Sequence, residues 1–303
     1  MRPPTETESP FSPQTLYELN LTYSYAEIAE MLGITRNVVA GRIHRYLVQK
    51  GSVKDTPNLF LNPLKAPLTL QGDWLITGDV HVPATDYDFA QLVGVVGKKH
   101  MKKGNRNLLI AGDLFNADAF SRYINVVAPP AWAQERDAAR LLVSQWLTVF
   151  DKVVFIMGNH DRRIQMITAG AFDETDIFGM ITSSPKAVSS VYGWCTIETP
   201  TGTWRVTHPK NYGINQLSVA EALAQKHQCH VITHHEHHAA IGHDRYKRWV
   251  LVNNGALVDD KKLAYVQLDD SKSAGMAKAF TLLKDGHPHL LADSPMTDWT
   301  RWV

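Results

Sequence analysis

The chain has 303 residues, of which 44% are hydrophobic and 20% are charged, and its formal net charge is +1. This is the composition of an ordinary globular protein, and the near-neutral charge excludes a general electrostatic attraction to nucleic acid. There is no apolar run of the ~20 residues that a membrane helix needs, no signal-peptide core at the polar start, and there are only two cysteines. We therefore expect a cytoplasmic protein with no membrane partner and no disulfide framework.

The first 50 residues divide into a polar start and a helical region. Residues 1–12 are rich in Pro, Ser, Thr and Glu, so we expect them to be disordered. Residues 13–50 predict three short helices that together form a small all-α domain. The second helix begins at Ser24, has Glu27 three positions later as in a capping box, and ends at Gly33.

The third predicted helix begins at Thr35, and Val39 and Ile43 share its apolar side. Polar and basic residues lie opposite that side or flank it. The candidate DNA-binding residues are Arg36, Asn37, Arg42, His44 and Arg45. A helix, a tight turn and a basic helix resemble the helix-turn-helix modules of sigma-factor-like and resolvase-like DNA-binding proteins, which implies DNA as a partner. The alternative is a small packing or dimerisation bundle with a solvated basic face.

A change of pattern marks the second domain. Residues 51–72 contain three prolines and no clear hydrophobic period, so we predict a linker. From residue 73 to residue 303, short buried strands such as WLIT, NLLIA and VVFIM alternate at first with helices. This alternation predicts an α/β domain with a largely parallel sheet. Strands dominate after residue 188, so we expect a mixed α/β sandwich.

Metal-ligating side chains follow the predicted strands, and the carboxyl ends of parallel strands meet at one edge of a sheet. The candidate ligands are Asp79, His81, Asp113, Asn159, His208, His235 and His237. Carboxylates and imidazoles suit Mn, Fe and Zn, and Asp113 is the natural carboxylate to bridge two cations. Two such cations can clamp a phosphate and lower the pKa of a bridging water toward about 7. His160 is placed to give a hydrogen bond or a proton to a leaving oxygen.

These residues belong to an ordered series of short motifs. The series is Gly78-Asp79-Val80-His81, Gly112-Asp113, Gly158-Asn159-His160-Asp161, His208, His235-Glu236-His237 and Asn253-Asn254-Gly255-Ala256. It resembles the motif series of the calcineurin-like metallophosphoesterases over roughly residues 73 to 257. The resemblance implies a four-layer α/β/β/α sandwich, preceded in this chain by the helix-turn-helix domain.

The resemblance also implies a site with two divalent metal ions. One ion would be held by Asp79, His81, Asp113 and His237, and the other by Asp113, Asn159, His208 and His235. His160 would be the leaving-group histidine, and Asp161 beside it is a second catalytic candidate. Mn²⁺ is the expected metal, with Fe, Zn, Mg and Co as alternatives because they share these ligands.

One departure and several ambiguous residues accompany the series. The family usually has glycine before its final His-x-His, and this chain has His234. The string Gly286-His287-Pro288-His289 matches that pattern more closely, but we assign the ligands to His235 and His237 because a buried strand precedes them. Arg162 and Arg122 are candidate substrate-binding residues, and each can equally be a solvated charge.

Three functions compete. The first is a metal-dependent phosphodiesterase or nuclease that is directed to DNA by the basic helix. The second is a metal-dependent phosphatase acting on a phosphoprotein, a nucleotide or another small phosphoester. The third is a DNA-binding regulator whose hydrolase domain acts as a sensor, which the complete ligand set disfavours. A helix-turn-helix module joined to a phosphoesterase suggests, by analogy of architecture, a bacterial or phage genome.

Overall fold

The computed structural model describes residues 11–50, 66–121, 128–263, 266–267 and 275–303. The chain divides into two compact units, residues 1–65 and 66–303. Most of the predicted disordered start and most of the predicted linker lie outside the described residues. Among the described helices, none combines the length and the apolar character needed to cross a membrane.

The described part of the first unit contains three α-helices, as the sequence predicts. They are α1 (Pro13–Asn20), α2 (Tyr25–Leu32) and α3 (Arg36–Gln49). The Ser24 hydroxyl accepts a hydrogen bond from the Glu27 amide, and the Glu27 carboxylate accepts one from the Ser24 amide. The capping box that begins α2 is therefore confirmed. The helix ends at Gly33, whose φ of 62° lies in the left-handed region.

A small apolar core holds the three helices together. Its buried members are Leu16, Ile28, Ala29, Val39 and Ile43. Phe11 and Ser12 fall in the start that we expected to be disordered, but Phe11 packs against this core and the Ser12 hydroxyl caps α1. The ordered unit therefore begins at least two residues earlier than the sequence suggests.

The second unit consists of two six-stranded sheets with helices. One sheet has the order β12-β11-β2-β3-β4-β5 and the other the order β1-β6-β7-β8-β10-β9. The strands are β1 (Thr69–Gln71), β2 (Trp74–Thr77), β3 (Asn107–Ala111), β4 (Lys152–Ile156), β5 (Ala187–Ser190), β6 (Trp194–Thr199), β7 (Gly202–Thr207), β8 (His230–Thr233), β9 (Ala239–His243), β10 (Val250–Asn254), β11 (Ala279–Lys284) and β12 (His287–Ala292). The helices are α4 (Tyr87–His100), α5 (Trp132–Val149), α6 (Asp161–Ile167), α7 (Glu174–Gly179) and α8 (Ser218–His227).

Three apolar clusters show how these elements are layered. Side chains from both sheets, including Ile76, Val154 and Ile232, form one buried cluster, so the sheets face each other. A larger cluster joins the opposite face of the β2–β5 sheet to α4 and α5. A smaller cluster joins α8 to β8 and β10 on the outer face of the second sheet. The predicted α/β/β/α sandwich is confirmed.

Part of the segment that we predicted to be a linker is a strand. β1 pairs in parallel with β6, with Thr69 opposite Thr196 and Gln71 opposite Glu198. Leu70 between them is buried in the cluster that joins the two sheets. A three-residue strand with one buried side chain is too short to show a hydrophobic period, which explains why the pattern did not reveal it.

The strand directions place the candidate ligands together. β2, β3, β4 and β5 run parallel in adjacent positions, and β7 and β8 run parallel in the second sheet. All four residues of β2 are buried, as expected for a strand covered on both faces. The loops that leave the carboxyl ends of these strands build the site.

Candidate metal centre

The ligand-type residues lie on loops at the carboxyl ends of strands from both sheets. Asp79 and His81 follow β2, Asp113 follows β3, Asn159 to Asp161 follow β4, His208 follows β7, and His235 and His237 follow β8. Asp79, His81, Asp113, His235 and His237 all have φ between 47° and 82°. Such values are uncommon outside glycine and concentrate at functional sites. The loops therefore turn sharply at five of the seven candidate ligands.

The first group of ligand atoms comes from Asp79, His81 and His237, which all lie within 4.8 Å of one another. His237 Nε2 is 3.1 Å from Asp79 Oδ1 and 3.3 Å from His81 Nε2. The three side chains are buried. The structure therefore brings together three of the four residues that the sequence predicts for one metal ion.

The second group comes from Asp113, His208 and His235, whose ligand atoms also lie within 4.8 Å of one another. His208 Nε2 is 3.2 Å from Asp113 Oδ2 and 2.9 Å from Asn159 Oδ1. The ring centroids of His208 and His235 are 5.2 Å apart. All four residues predicted for the other metal ion thus converge.

Asp113 lies between the two groups. Its Oδ2 atom is 3.9 Å from His81 Nε2 on one side and 3.2 Å from His208 Nε2 on the other. This oxygen is buried and accepts no hydrogen bond from any described residue. A buried carboxylate oxygen without a donor is costly, and imidazole and carboxylate atoms around it are good ligands for divalent metals. The residues present fit a pair of metal ions that share Asp113.

Neighbouring carboxylates and imidazoles of the site shift the pKa of one another. Burial opposes ionisation of Asp79 and Asp113, but the His208 imidazole and other neighbouring histidines outweigh it and lower the pKa of both carboxyls. Burial lowers the pKa of His208, but Asp113 and Asp79 outweigh it and raise that pKa to about 9. Positive charge nearby therefore stabilises the ionised carboxylates, and either protonated histidines or metal ions can supply it.

His160 lies at the edge of the first group. Its Nδ1 is 2.6 Å from the Asn116 carbonyl oxygen, and its Nε2 is 3.2 Å from an Arg163 guanidinium nitrogen. Since a carbonyl only accepts and a guanidinium only donates, the proton of the neutral ring is on Nδ1. Burial lowers the pKa of His160 to about 3. Its ring stands edge-on to His81 at a centroid distance of 4.6 Å.

The two arginines that follow Asp161 have different environments. Arg162 donates hydrogen bonds to the Val191 carbonyl and to Gln165, so it braces a neighbouring loop. Arg163 contacts His160, the Asn116 carbonyl and Asp118. Arg163, and not Arg162, is therefore the guanidinium that lies beside His160. Arg122, the other predicted substrate-binding residue, lies outside the described residues.

Asp161 is fully buried, and its carboxylate binds backbone amides instead of pointing toward the candidate metal ligands. Its carboxylate accepts hydrogen bonds from the amides of Asp113, Gly158 and Phe115 at 2.8, 2.8 and 3.2 Å. Burial, followed by the Asp113 carboxylate, raises the pKa of Asp161, whereas the backbone donors lower it. These contacts give Asp161, which we proposed as catalytic, the role of a positioning residue that fixes the loops after β3 and β4.

Replacing Asp161 with asparagine is expected to destabilise the metal-free protein by about 1–3 kcal/mol, because the NH₂ group that replaces one carboxylate oxygen cannot accept from the backbone amide that it faces. Thermal unfolding of metal-free protein measures this change as several degrees. Asp285→Asn is the control, because Asp285 is exposed and its φ of 50° suits asparagine. Equal unfolding temperatures for the two variants would contradict the positioning role.

The alternative histidine pair does not join the site. His287 and His289 lie on β12, an edge strand paired with β11, and neither belongs to a potential metal-binding group among the described residues. His235 and His237 belong to the second and the first group respectively. The geometry agrees with our assignment of the ligands to the earlier pair.

Three residues of the site make contacts that were not foreseen from the sequence. Asn116 contacts His81 through its side chain, at 3.1 Å, and His160 through its carbonyl. Arg163 donates to His160. His234, which stands where the family usually has glycine, is fully buried against Asp79. Only the unusual residue type at position 234 signalled any of them in advance.

Two stacked sheets between layers of helices, with a buried carboxylate and imidazole centre at the strand ends, define the class as a metallophosphoesterase. A family model for calcineurin-like phosphoesterases matches residues 74–261, which is more than half of the chain. The chain belongs to the calcineurin-like phosphoesterase family, whose members are hydrolases of phosphoester bonds and typically depend on two metal ions. A search of curated proteins finds no match.

Proposed function

We propose that this protein is a metal-dependent phosphodiesterase that acts on DNA. The observation that carries the proposal is the solvent-exposed polar face of α3, on a chain that also carries the phosphoesterase site. Basic side chains on an exposed helix contact the phosphates of nucleic acids. A nucleic acid would therefore be both the ligand of this helix and a substrate for the phosphoesterase site.

The composition of that face supports binding to a polyanion. Arg36, Asn37, His44 and Arg45 are exposed, as is Gly41 between them, whereas the residues on the opposite side of the helix are buried in the core. The described part of the first unit has four basic and three acidic residues, so its attraction to DNA is local to α3. Gly41 leaves room for close approach of a phosphate backbone, since no side chain stands there.

Arg42 has a structural task in addition to any contact with DNA. One guanidinium nitrogen of Arg42 donates to the Phe11 carbonyl at 2.9 Å, and the side chain is partly buried. Replacing it would loosen the N-terminal segment of the unit as well as remove a charge. We therefore exclude Arg42 from the residues whose substitution tests DNA binding.

Under this proposal the residues at the centre have three roles, which are to hold the metal ions, to protonate the leaving oxygen and to orient the proton donor. Asp79, His81, Asp113 and His237 would hold one metal ion, and Asp113, Asn159, His208 and His235 the other. When bound, the ions supply Lewis-acid polarisation of the phosphate and neutralise its charge. His160 Nε2 carries no proton in the neutral ring, and the negative charge of a bound phosphate would favour its protonation. It would then give that proton to the leaving oxygen, while the Asn116 carbonyl orients the ring through Nδ1. Arg163 holds the histidine from the other side.

Hydrolysis assays with Mn²⁺ test the class of substrate. We expect turnover of bis-p-nitrophenyl phosphate and of plasmid DNA that exceeds turnover of p-nitrophenyl phosphate, and loss of all activity in a chelator. Preference for p-nitrophenyl phosphate with no attack on either diester would support a phosphatase and overturn the proposal. Single-stranded and double-stranded DNA are compared in the same assay.

Replacing Arg45 with alanine is expected to weaken DNA binding about uniformly across sequences and to reduce the slope of log K against log salt by about 1. Fluorescence anisotropy over a series of salt concentrations measures both quantities. The matched control is Lys50→Ala, because Lys50 is exposed but follows the end of α3 and lies over the Tyr46 ring. Identical slopes for the two variants would remove the DNA-binding role from this face.

A further inference from the structure

His234 occupies a position with an unusual environment. It immediately precedes the last two ligands, and no part of it is exposed. Its Nδ1 is 3.3 Å from Asp79 Oδ2, and its Nε2 is 3.3 Å from Asn254 Nδ2. The imidazole also lies against Gly78, where a Cβ atom would be only 2.5 Å from Nδ1. Glycine at position 78 is thus what admits the ring.

The amide of Asn254 is held in one orientation by two further contacts. Asn254 Nδ2 is 3.1 Å from the Ile76 carbonyl oxygen, which can only accept a hydrogen bond. Asn254 Oδ1 accepts a hydrogen bond from the Thr281 hydroxyl at 2.5 Å. All of these groups are buried. The amide therefore presents its NH₂ group, and not its oxygen, to His234.

The tautomer of His234 follows from its two neighbours. Because Asn254 donates to Nε2, that nitrogen carries no proton, and the ring proton is on Nδ1. Because the Asp79 carboxylate can only accept, it independently requires a proton on Nδ1. The hydrogen bonds therefore run in one direction, from Thr281 through Asn254 and His234 to Asp79.

This direction of hydrogen bonding distinguishes the two oxygens of Asp79. Oδ2 accepts from His234 Nδ1 and from the His235 amide, which is 3.0 Å away. Oδ1 instead lies 3.1 Å from His237 Nε2 and 3.9 Å from His81 Nε2, among the other ligand atoms. One oxygen is thus tied to the protein, and the other faces the centre.

We propose that His234 is a positioning residue which, together with Asn254 and Thr281, fixes Asp79 so that Oδ1 is presented to the metal ion. The proposal rests on the assignment of Asp79 as a ligand under the proposed function. Residues that orient a ligand from behind typically contribute 10–100-fold to metal affinity. The carboxylate is held before the metal arrives, so less conformational freedom is lost on binding.

The competing role for His234 is that of a filler of space between β2 and β8. The two roles separate at Thr281, which lies two side chains away from Asp79. Thr281→Val has nearly the same shape but removes the hydroxyl that donates to Asn254 Oδ1, so that the Ile76 carbonyl alone is left to orient the amide. A space-filling role predicts no effect of this change on metal binding, whereas the positioning role does.

Calorimetric titration of the metal-free full-length protein with Mn²⁺ tests the proposal. We expect roughly 10–100-fold weaker binding at one site for His234→Phe, and a loss toward the lower end of that range for Thr281→Val. Thr77→Val is the matched control, because Thr77 is equally buried on β2 and its hydroxyl has no partner among the described residues. Thr281→Val that binds Mn²⁺ as tightly as Thr77→Val overturns the proposal.

A spectroscopic measurement on metal-free protein adds a readout that is independent of affinity. The ¹⁵N resonances of His234, assigned by their absence in His234→Phe, are expected to show the Nδ1–H tautomer, and the opposite tautomer overturns the proposal. Asp79→Asn distinguishes an error in the assigned metal site from an error in the positioning role of His234. If Asp79→Asn binds Mn²⁺ normally, the assigned metal site is wrong. If it loses one site while the His234 and Thr281 variants bind normally, only the positioning role is wrong.

Discussion

Asp113→Asn is expected to reduce phosphodiester hydrolysis by on the order of 10³-fold, which corresponds to about 4 kcal/mol of transition-state stabilisation. The carboxylate lies between the two groups of ligand atoms, and its Oδ2 atom is shared by the histidines of both. Loss of its charge weakens both metal positions at once, and metal ions contribute several kcal/mol to such reactions. Asparagine accepts the φ of 50° at this position, so the loop itself is preserved.

Turnover of bis-p-nitrophenyl phosphate and the metal content of purified protein are measured together. Asp285→Asn is the control, because it makes the same substitution at the same φ of 50° on the surface. We expect the control to retain wild-type activity and metal content. Activity of Asp113→Asn within tenfold of wild type, at saturating Mn²⁺, would refute the shared-ligand role.

His160→Ala is expected to lower kcat by about 10²–10⁴-fold while leaving the metal content unchanged. The reason is that His160 Nε2 would give the leaving oxygen the proton that it takes up beside a bound phosphate, whereas the assigned ligands remain intact. The loss should be larger for DNA than for bis-p-nitrophenyl phosphate. A deoxyribose oxygen is a poor leaving group that needs a proton, and p-nitrophenolate leaves readily without one.

The control for His160→Ala is His243→Ala, since His243 is exposed on β9. The ligand atom of His160 also lies within 4.8 Å of those of His81 and Asp113, so a direct metal contact is the competing role. Metal analysis decides between them. A variant that loses a metal ion would assign His160 to the ligands, and equal losses on the two substrates would argue against proton donation.

The positions of the candidate ligands after the strands were predictable, and their mutual contacts were not. Buried strands with polar residues directly after them signal the loops at one edge of a sheet, and Asp79, Asp113 and His208 do follow the ends of β2, β3 and β7. In a helix as short as α6, the sequence does not indicate which side chains face the site. One helical step therefore decides that Arg163 faces His160 while Arg162 turns toward Val191.

Long-range contacts account for the other differences. Asp161 appeared catalytic because it follows His160, but its carboxylate accepts from amides 46 and 48 residues earlier. The contact between His234 and Asp79 joins residues 155 positions apart, across the two sheets. β1 is recognisable only through its partner β6. The hydrophobic pattern of a short segment does not predict such distant pairs. It does predict strands that are buried on both faces, because their residues are nearly all apolar.

The left-handed backbone at the ligands restricts which residues evolution can place there. Asp79, His81, Asp113, His235 and His237 have positive φ, and aspartate, asparagine and histidine are the types that tolerate this conformation best after glycine. A glutamate or cysteine at these positions would offer a chemically competent donor atom at a conformational penalty. The backbone thus limits the residue types at these five positions, whereas Asn159 and His208, whose φ is not positive, are freer to change.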